Sequence, residues 1–422
     1  MRNKETICVQ GAYEPKVGEP RVAPIVQSTT FYYETLDQMA DLFDLKADGF
    51  FYTRLANPTV DYLEKKVALL EDGSGAMACS SGMAATTLAI LNVCNAGDNI
   101  VCSNAIYGGS YNLFSVTLKK YGIETKFINP DAPAREIEAL IDDNTKVIFG
   151  ETVANPNIIV LDFEKFSNIA KKYGILFFVD NTLSSPVLCQ PKKYGANIIL
   201  HSSSKYLDGH AVALGGVVVD CGNFEFKGNK RYPEFNTPDE SYHGLVYADL
   251  GSTAFITKAR AQMMRDMGAM MAPQNAFLTN LGMETLHLRM KKHAENAAVI
   301  ARFLKDNPLV EWVKHPSLKE DPYYELGQKY LPNGSTGMMS FGLKGGLDVT
   351  KKFISNLKLI ANVTHVADVR TSLLNPASTT HRQLPESALI EAGITPNLIR
   401  LSVGIESADD IIADIKNALS NL

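Results

Sequence analysis

The sequence predicts an α/β protein: a mainly parallel sheet with helices on both faces, followed by a smaller α/β domain at the C-terminal end. Three observations carry this. Short runs rich in Val, Ile and Phe recur between Ala76 and Val219, and uninterrupted apolar runs of that length mark strands buried on both faces. Helical patterns alternate with them, the ordering that produces a parallel sheet covered on both sides. Beyond about Ser252 the texture changes to long helical patterns and then to a mixed strand–helix segment.

Taken in order, the first fifty or so residues hold Pro15, Pro20 and Pro24 and read as an extended arm, assigned to residues 1–56. Residues 57–253 form the large domain. Within it, 76–80 reads as a strand, 83–94 as a helix rich in Ala, Leu and Thr, 99–103 as a strand, 111–121 as a helix and 125–128 as a strand. Strands at 146–149, 176–179, 198–200 and 217–219 follow, with a helix over 163–173 that Gly174 stops. The C-terminal domain takes residues 254–422, with helices expected over 254–267 and 274–304. The second helix is expected to break near Gly282, ahead of strand patterns at 338–343 and 398–403.

Composition narrows the function classes. The 422 residues are 45% hydrophobic and 21% charged with net charge -5, a balance typical of soluble proteins with two or three domains. No basic run interleaved with aromatics suggests nucleic acid. No stretch approaches the roughly 20 apolar residues of a membrane span, and the N-terminal residues lack the apolar core of a signal peptide. Cys8, Cys79, Cys94, Cys102, Cys189 and Cys221 are scattered without a C-x-x-C pair, which fits a reduced cytoplasm and neither a disulfide framework nor a metal site.

Five segments carry chemistry. Asp180 ends an apolar strand, where a carboxylate is costly without a positive partner. One reading is a salt bridge to the protonated nitrogen of a ring cofactor, on the order of 4 kcal/mol at an effective dielectric near 20. The other is a helix cap or loop aspartate. Lys205, just past the 198–200 strand in the run His201-Ser202-Ser203-Ser204-Lys205-Tyr206, can lose hydration and become a nucleophilic amine. Ser202 and Ser204 beside it can bond phosphate oxygens, although a Ser-rich loop also fits an exposed turn. Ser80-Ser81-Gly82-Met83, between strand and helix, suits an anion. It matches neither a Walker loop nor a dinucleotide fingerprint, and it also fits a plain tight turn. Tyr107 before Gly108 and Gly109 can lie flat over a ring or exchange a proton, or can be a core tyrosine. Arg400, inside an apolar strand, suits a substrate carboxylate or a structural Arg–Glu pair.

Together and in this order, these segments resemble the cysteine/methionine-metabolism family of pyridoxal-phosphate enzymes, from about Gly11 to Glu406. The likeness includes Tyr52-Thr53-Arg54-Leu55-Ala56-Asn57-Pro58-Thr59, Ser80 to Ala84, Asn155-Pro156, Val179 to Thr182, and Ser204-Lys205-Tyr206 with Gly209-His210. It implies the aspartate-aminotransferase fold (fold type I), pyridoxal 5'-phosphate attached to Lys205, and an active site shared by two subunits of a dimer, paired into a homotetramer. By the same likeness the arm contacts the neighbouring subunit, with Tyr52 and Arg54 reaching that subunit's phosphate. Ser81, Gly82, Met83, Ser202 and Ser204 hold phosphate within one subunit. Tyr107 stacks on the ring, Asp180 pairs with its nitrogen, Asn155 lies near its hydroxyl and Arg400 binds the substrate carboxylate. Lys205, Tyr107 and Asp180 form the catalytic set.

Within the family, Ser241 to Tyr247, Ala254 to Arg260 and Pro376 to His381 look like the O-acetylhomoserine sulfhydrylase branch. Methionine γ-lyases usually place a cysteine two residues after the stacking tyrosine, where Gly109 stands here. Asn375 replaces a common His, and Ala367-Asp368 a common Gly-Asp. The implied reaction is γ-replacement on O-acetyl-L-homoserine by sulfide or methanethiol, giving homocysteine or methionine and acetate. Methionine γ-lyase, cystathionine γ-synthase and transaminase chemistry are the rival reactions, and a cofactor-binding scaffold is the rival class. His243, His365 and His381 are further candidates for substrate contact.

Overall fold

The computed structural model describes residues 2–380, 382, 389 and 393–422. Among the described residues, strands form one sheet of seven and one of five. In the large sheet, β1 (Gly75–Cys79), β2 (Asn99–Ser103), β3 (Glu124–Ile128), β4 (Thr145–Glu151), β5 (Leu176–Asp180), β6 (Ile198–His201) and β7 (Gly216–Asp220) lie in the order β1-β7-β6-β5-β4-β2-β3. β7 runs antiparallel to both β1 and β6, and the other pairs are parallel. β2, β4 and β7 are buried along their whole length. That accounts for their unbroken apolar runs: with helices on both faces, neither side of the sheet meets water.

Two cores follow from the alternation of side chains along each strand. Phe177, Val179 and Ile199 face one, with helix Phe163–Tyr173 packed on it; Phe149, Phe178 and Leu200 face the other, with helix Gly82–Leu91. Gly174 ends its helix in the left-handed conformation, as expected. The second sheet, β10-β11-β12-β9-β8, comprises β8 (Val310–Lys314), β9 (Met338–Leu343), β10 (Ala361–Asn362), β11 (Ser372–Leu374) and β12 (Leu398–Ser402).

Several local expectations change. The arm contains two short helices, Lys4–Gln10 and Leu36–Phe43. The latter is capped by Thr35, whose hydroxyl accepts the Gln38 N–H, a threonine cap that the reading of an extended arm passed over. The helix expected over 111–121 is three pieces: an α-turn at Gly108–Asn112, a π-segment at Leu113–Thr117 and a 3-10 turn at Leu118–Tyr121. The 274–304 helix breaks at Thr285, close to the expected Gly282. A side chain at Gly282 would overlap the Asp208 carbonyl oxygen, so this glycine serves close packing beneath the loop that follows Lys205.

Candidate active site

The carboxyl ends of β4, β5 and β6 open onto a cavity of about 540 Å³, the place where parallel α/β sheets bind ligands. Ser81, Gly82, Met83, Tyr107, Asn155, Asp180, Ser202, Ser204, Lys205 and Arg400 all line it. The fold thus gathers ten of the twelve predicted site residues, from segments more than three hundred positions apart.

Each is placed by an identifiable device. Ser81 caps helix Gly82–Leu91, its hydroxyl accepting the Ala84 N–H, and the open amide end of that helix faces the cavity. Gly82 passes so close to Ser202 that a Cβ would lie 2.7 Å from the Ser202 Cβ; glycine therefore brings together the two segments expected to hold an anion. Asp180 accepts the Thr182 N–H at 2.9 Å, and Thr182 in turn accepts the Ser202 N–H at 2.8 Å. Burial raises the Asp180 carboxyl above its ordinary range, opposed by the Thr182 bonds and by His201. The Ser204 hydroxyl donates to the Gly215 carbonyl and accepts the Gly215 N–H, which ties down the loop after Lys205. Burial, aided by Arg400, brings the Lys205 amine down to about 8. Arg400 is pushed down to about 10, chiefly by burial, and donates to the Thr364 carbonyl at 3.1 Å.

Tyr52 and Arg54 lie elsewhere. Their aromatic–cation pair (5.2 Å) lines a second cavity with Ser241, Tyr242 and His243, and Arg54 donates to the Arg265 carbonyl. His381 lies outside the described residues.

Residues not singled out from the sequence complete the cavity. Glu151 accepts the Tyr107 N–H at 2.6 Å and also bonds the Asn155 N–H; burial and the adjacent Asp180 hold its carboxyl well above the usual range. A strand-end carboxylate four residues before Asn155 was a readable signal of the kind used for Asp180. Thr182, the last residue of the Val179 to Thr182 motif, also lines the cavity, as do Thr86, Ser110 and the 211–214 loop, which no motif marks.

A family model described as Cys/Met metabolism PLP-dependent enzyme matches residues 5–420. The chain belongs to that family. A homocysteine synthase of Schizosaccharomyces pombe is 43% identical over 98% of this chain and 97% of its own. An O-acetyl-L-homoserine sulfhydrylase of Leptospira meyeri is 42% identical over 99% and 97%. A crystal structure from Campylobacter jejuni, described as an O-acetylhomoserine (thiol)-lyase with N'-pyridoxyl-lysine-5'-monophosphate at position 205, superposes with TM-score 0.96. It is 41% identical, over 99% of this chain and 100% of that one.

The cavity of this Cys/Met metabolism PLP-dependent enzyme suits its cofactor. An amide-rich helix end beside Ser81 and Ser202 offers donors to a phosphate dianion. The half-buried Asp180 carboxylate has no lysine or arginine bonded to it among the described residues, which leaves it free to pair with a ring cation. The Asn155 side-chain oxygen is buried without a hydrogen-bond partner, an acceptor that a ring hydroxyl would satisfy.

Proposed function

We propose that the chain catalyses γ-replacement on O-acetyl-L-homoserine with sulfide, or a small thiol, giving homocysteine and acetate. The observation that carries this reading is the full-length likeness to sulfhydrylases and homocysteine synthases at 41–43% identity, on a cavity built around Lys205, Asp180, Tyr107 and Arg400.

When bound, pyridoxal 5'-phosphate supplies an electron-poor ring that absorbs the charge left as a proton leaves carbon. Ser81, Gly82, Met83 and Ser202 hold its phosphate, with Ser204 fixing the loop beside them. Asp180 holds a proton on the ring nitrogen. Tyr107 would cover the ring, and Asn155 would lie beside its hydroxyl, where the side-chain oxygen can accept. Arg400 grips the substrate carboxylate and so aims the α-hydrogen at Lys205. Once its amine is free, Lys205 takes that proton; near pH 8 an amine tuned to about 8 is poised between giving and taking one. Tyr107 and Lys205 carry the later transfers.

Position 109 favours replacement over lyase chemistry. A side chain at Gly109 would overlap the Tyr107 ring, so a cysteine there requires a different tyrosine position. We further propose a homotetramer with shared sites, in the reducing cytoplasm. Val17, Tyr32 and Leu36 on the arm are more than four-fifths exposed, an apolar surface suited to another subunit. Tyr52 and Arg54 then serve the neighbour's phosphate.

The test is turnover of purified protein with O-acetyl-L-homoserine and sulfide, assayed for homocysteine, with L-methionine run in parallel for 2-oxobutanoate. Fast homocysteine with little 2-oxobutanoate supports the reading, and the reverse ratio moves the chain to the lyases.

A further inference from the structure

His365 stands 3.3 Å from the Lys205 amine through Nδ1. Its Nε2, on the far side of the ring, is buried and has no hydrogen-bond partner. The segment carrying it is fixed from two sides: Arg400 donates to the Thr364 carbonyl, and Ser372 donates to the His365 carbonyl at 3.2 Å. His365 also lines the same cavity as Lys205 and Arg400. While Lys205 is an ammonium it can only donate, so Nδ1 then accepts and the proton of the neutral ring sits on Nε2. An imidazole wired this way joins the catalytic amine to a buried N–H donor with nothing yet to donate to.

We propose that His365 is a proton relay between Lys205 and the oxygen or sulfur that leaves or enters at the γ-carbon. In the first half, Lys205 takes a proton from substrate carbon and becomes an ammonium. It passes one proton to Nδ1 while Nε2–H passes its proton to the departing carboxylate. The carbon–oxygen bond breaks with its electron pair on oxygen, and the free acid leaves. The ring now carries its proton on Nδ1, and Lys205 is again an amine. In the second half, a thiol gives its proton to Nε2 as its sulfur bonds carbon; Nδ1–H returns a proton to Lys205, which delivers it to carbon. The original tautomer is restored, and no oxidant or reductant enters.

Burial, and then Lys205, depress the imidazole below its ordinary value, so it stays neutral where the amine works. The charged groups around it are Lys205 and Arg370, which oppose protonation, Asp368 and Asp208, which favour it, and Arg400 at the same cavity. Asp368 is itself paired to Arg370.

The proposal rests on the γ-replacement reading, and its test separates the two. In His365→Asn the amide oxygen can replace Nδ1 as acceptor, but the side chain cannot carry a proton across. The holoenzyme variant should exchange the α-hydrogen of L-alanine with D2O at close to the parent rate, since Lys205 alone suffices. Release of acetate from O-acetyl-L-homoserine should fall about 100-fold or more, the usual worth of a general acid. In the cofactor-free chain, pH-dependent acetylation of Lys205, followed by peptide mass spectrometry, should give the same amine midpoint for parent and His365→Asn. His365→Ala, lacking the acceptor, should shift it lower. Equal losses of exchange and release in His365→Asn would reduce His365 to a support for Lys205, and unchanged release would remove it from the reaction; either overturns the relay. If the parent exchanges alanine but never releases acetate, the donor assignment has failed instead.

Discussion

Glu151 and Asp180 are register partners at the carboxyl ends of adjacent parallel strands, two carboxyls side by side at one cavity. Burial raises both carboxyls, and Glu151 is pushed further, well above the usual range, because the Asp180 charge adds to its burial. Glu151 is thus the more easily protonated of the two and can serve as a neutral acceptor for the Tyr107 and Asn155 backbone amides, and under the proposed function Asp180 is the one that keeps its charge for a ring cation.

This division predicts unequal isosteric substitutions. Glu151→Gln, which retains a carbonyl acceptor, should keep kcat within about threefold. Asp180→Asn should lower it by about 100-fold or more and weaken cofactor binding by equilibrium titration. Equal losses in the two variants would refute the division of roles.

Attachment of pyridoxal 5'-phosphate to the cofactor-free chain should follow the Lys205 amine. Because that amine is lowered to about 8, the protonated fraction dominates at pH 6.5 and the rate should rise with pH to a midpoint near 8. Arg400→Met removes a positive neighbour, so the ammonium becomes easier to keep and the midpoint should move upward. Absorbance stopped-flow across pH measures both. Lys205→Ala should abolish both the lysine-bound cofactor band and turnover.

Gly109→Ala offers a dissociation of stability from activity. The residue lies in the short helix Gly108–Asn112, where alanine is favoured over glycine by up to about 1 kcal/mol, yet its Cβ would displace the Tyr107 ring. That ring is 48% exposed and free to swing. The melting temperature should stay level or rise while kcat/KM falls tenfold or more.

Arg289 supports the lysine loop from beneath. Its guanidinium donates to the carbonyls of Tyr206 (2.9 Å) and Gly282 (2.8 Å), and its Nε donates to the Thr285 hydroxyl at 3.2 Å. Gly209 lies against it at φ +72, where a side chain is both strained and in collision. Arg289→Lys cannot span these acceptors, so it should cost about 2–4 kcal/mol in urea unfolding. Gly209→Ala should cost a similar amount.

Much of the fold was legible because burial on both faces writes itself into composition. All seven large-sheet strands fall within a few residues of their apolar runs, and helix Phe163–Tyr173 begins and ends where its pattern and Gly174 place it. Motif order likewise carried Lys205, Asp180, Tyr107 and Arg400. What escaped was not periodic. The π-segment at Leu113–Thr117 packs its Phe114 edge-on against Phe149, a contact between distant segments that local propensity does not encode. Tyr52 and Arg54 were recognised by motif, but their distance from Lys205's cavity depends on the path of the arm.

The sequence by itself determined the layer architecture and the cofactor class, because apolar periodicity and strand-end chemistry are local and survive without coordinates. Tertiary structure alone decided which carboxyl would hold a proton, that Gly109 must be bare, and that His365 meets Lys205 across 160 positions of chain. Those outcomes depend on distances between segments, and electrostatic and steric energies change steeply over the last few ångströms.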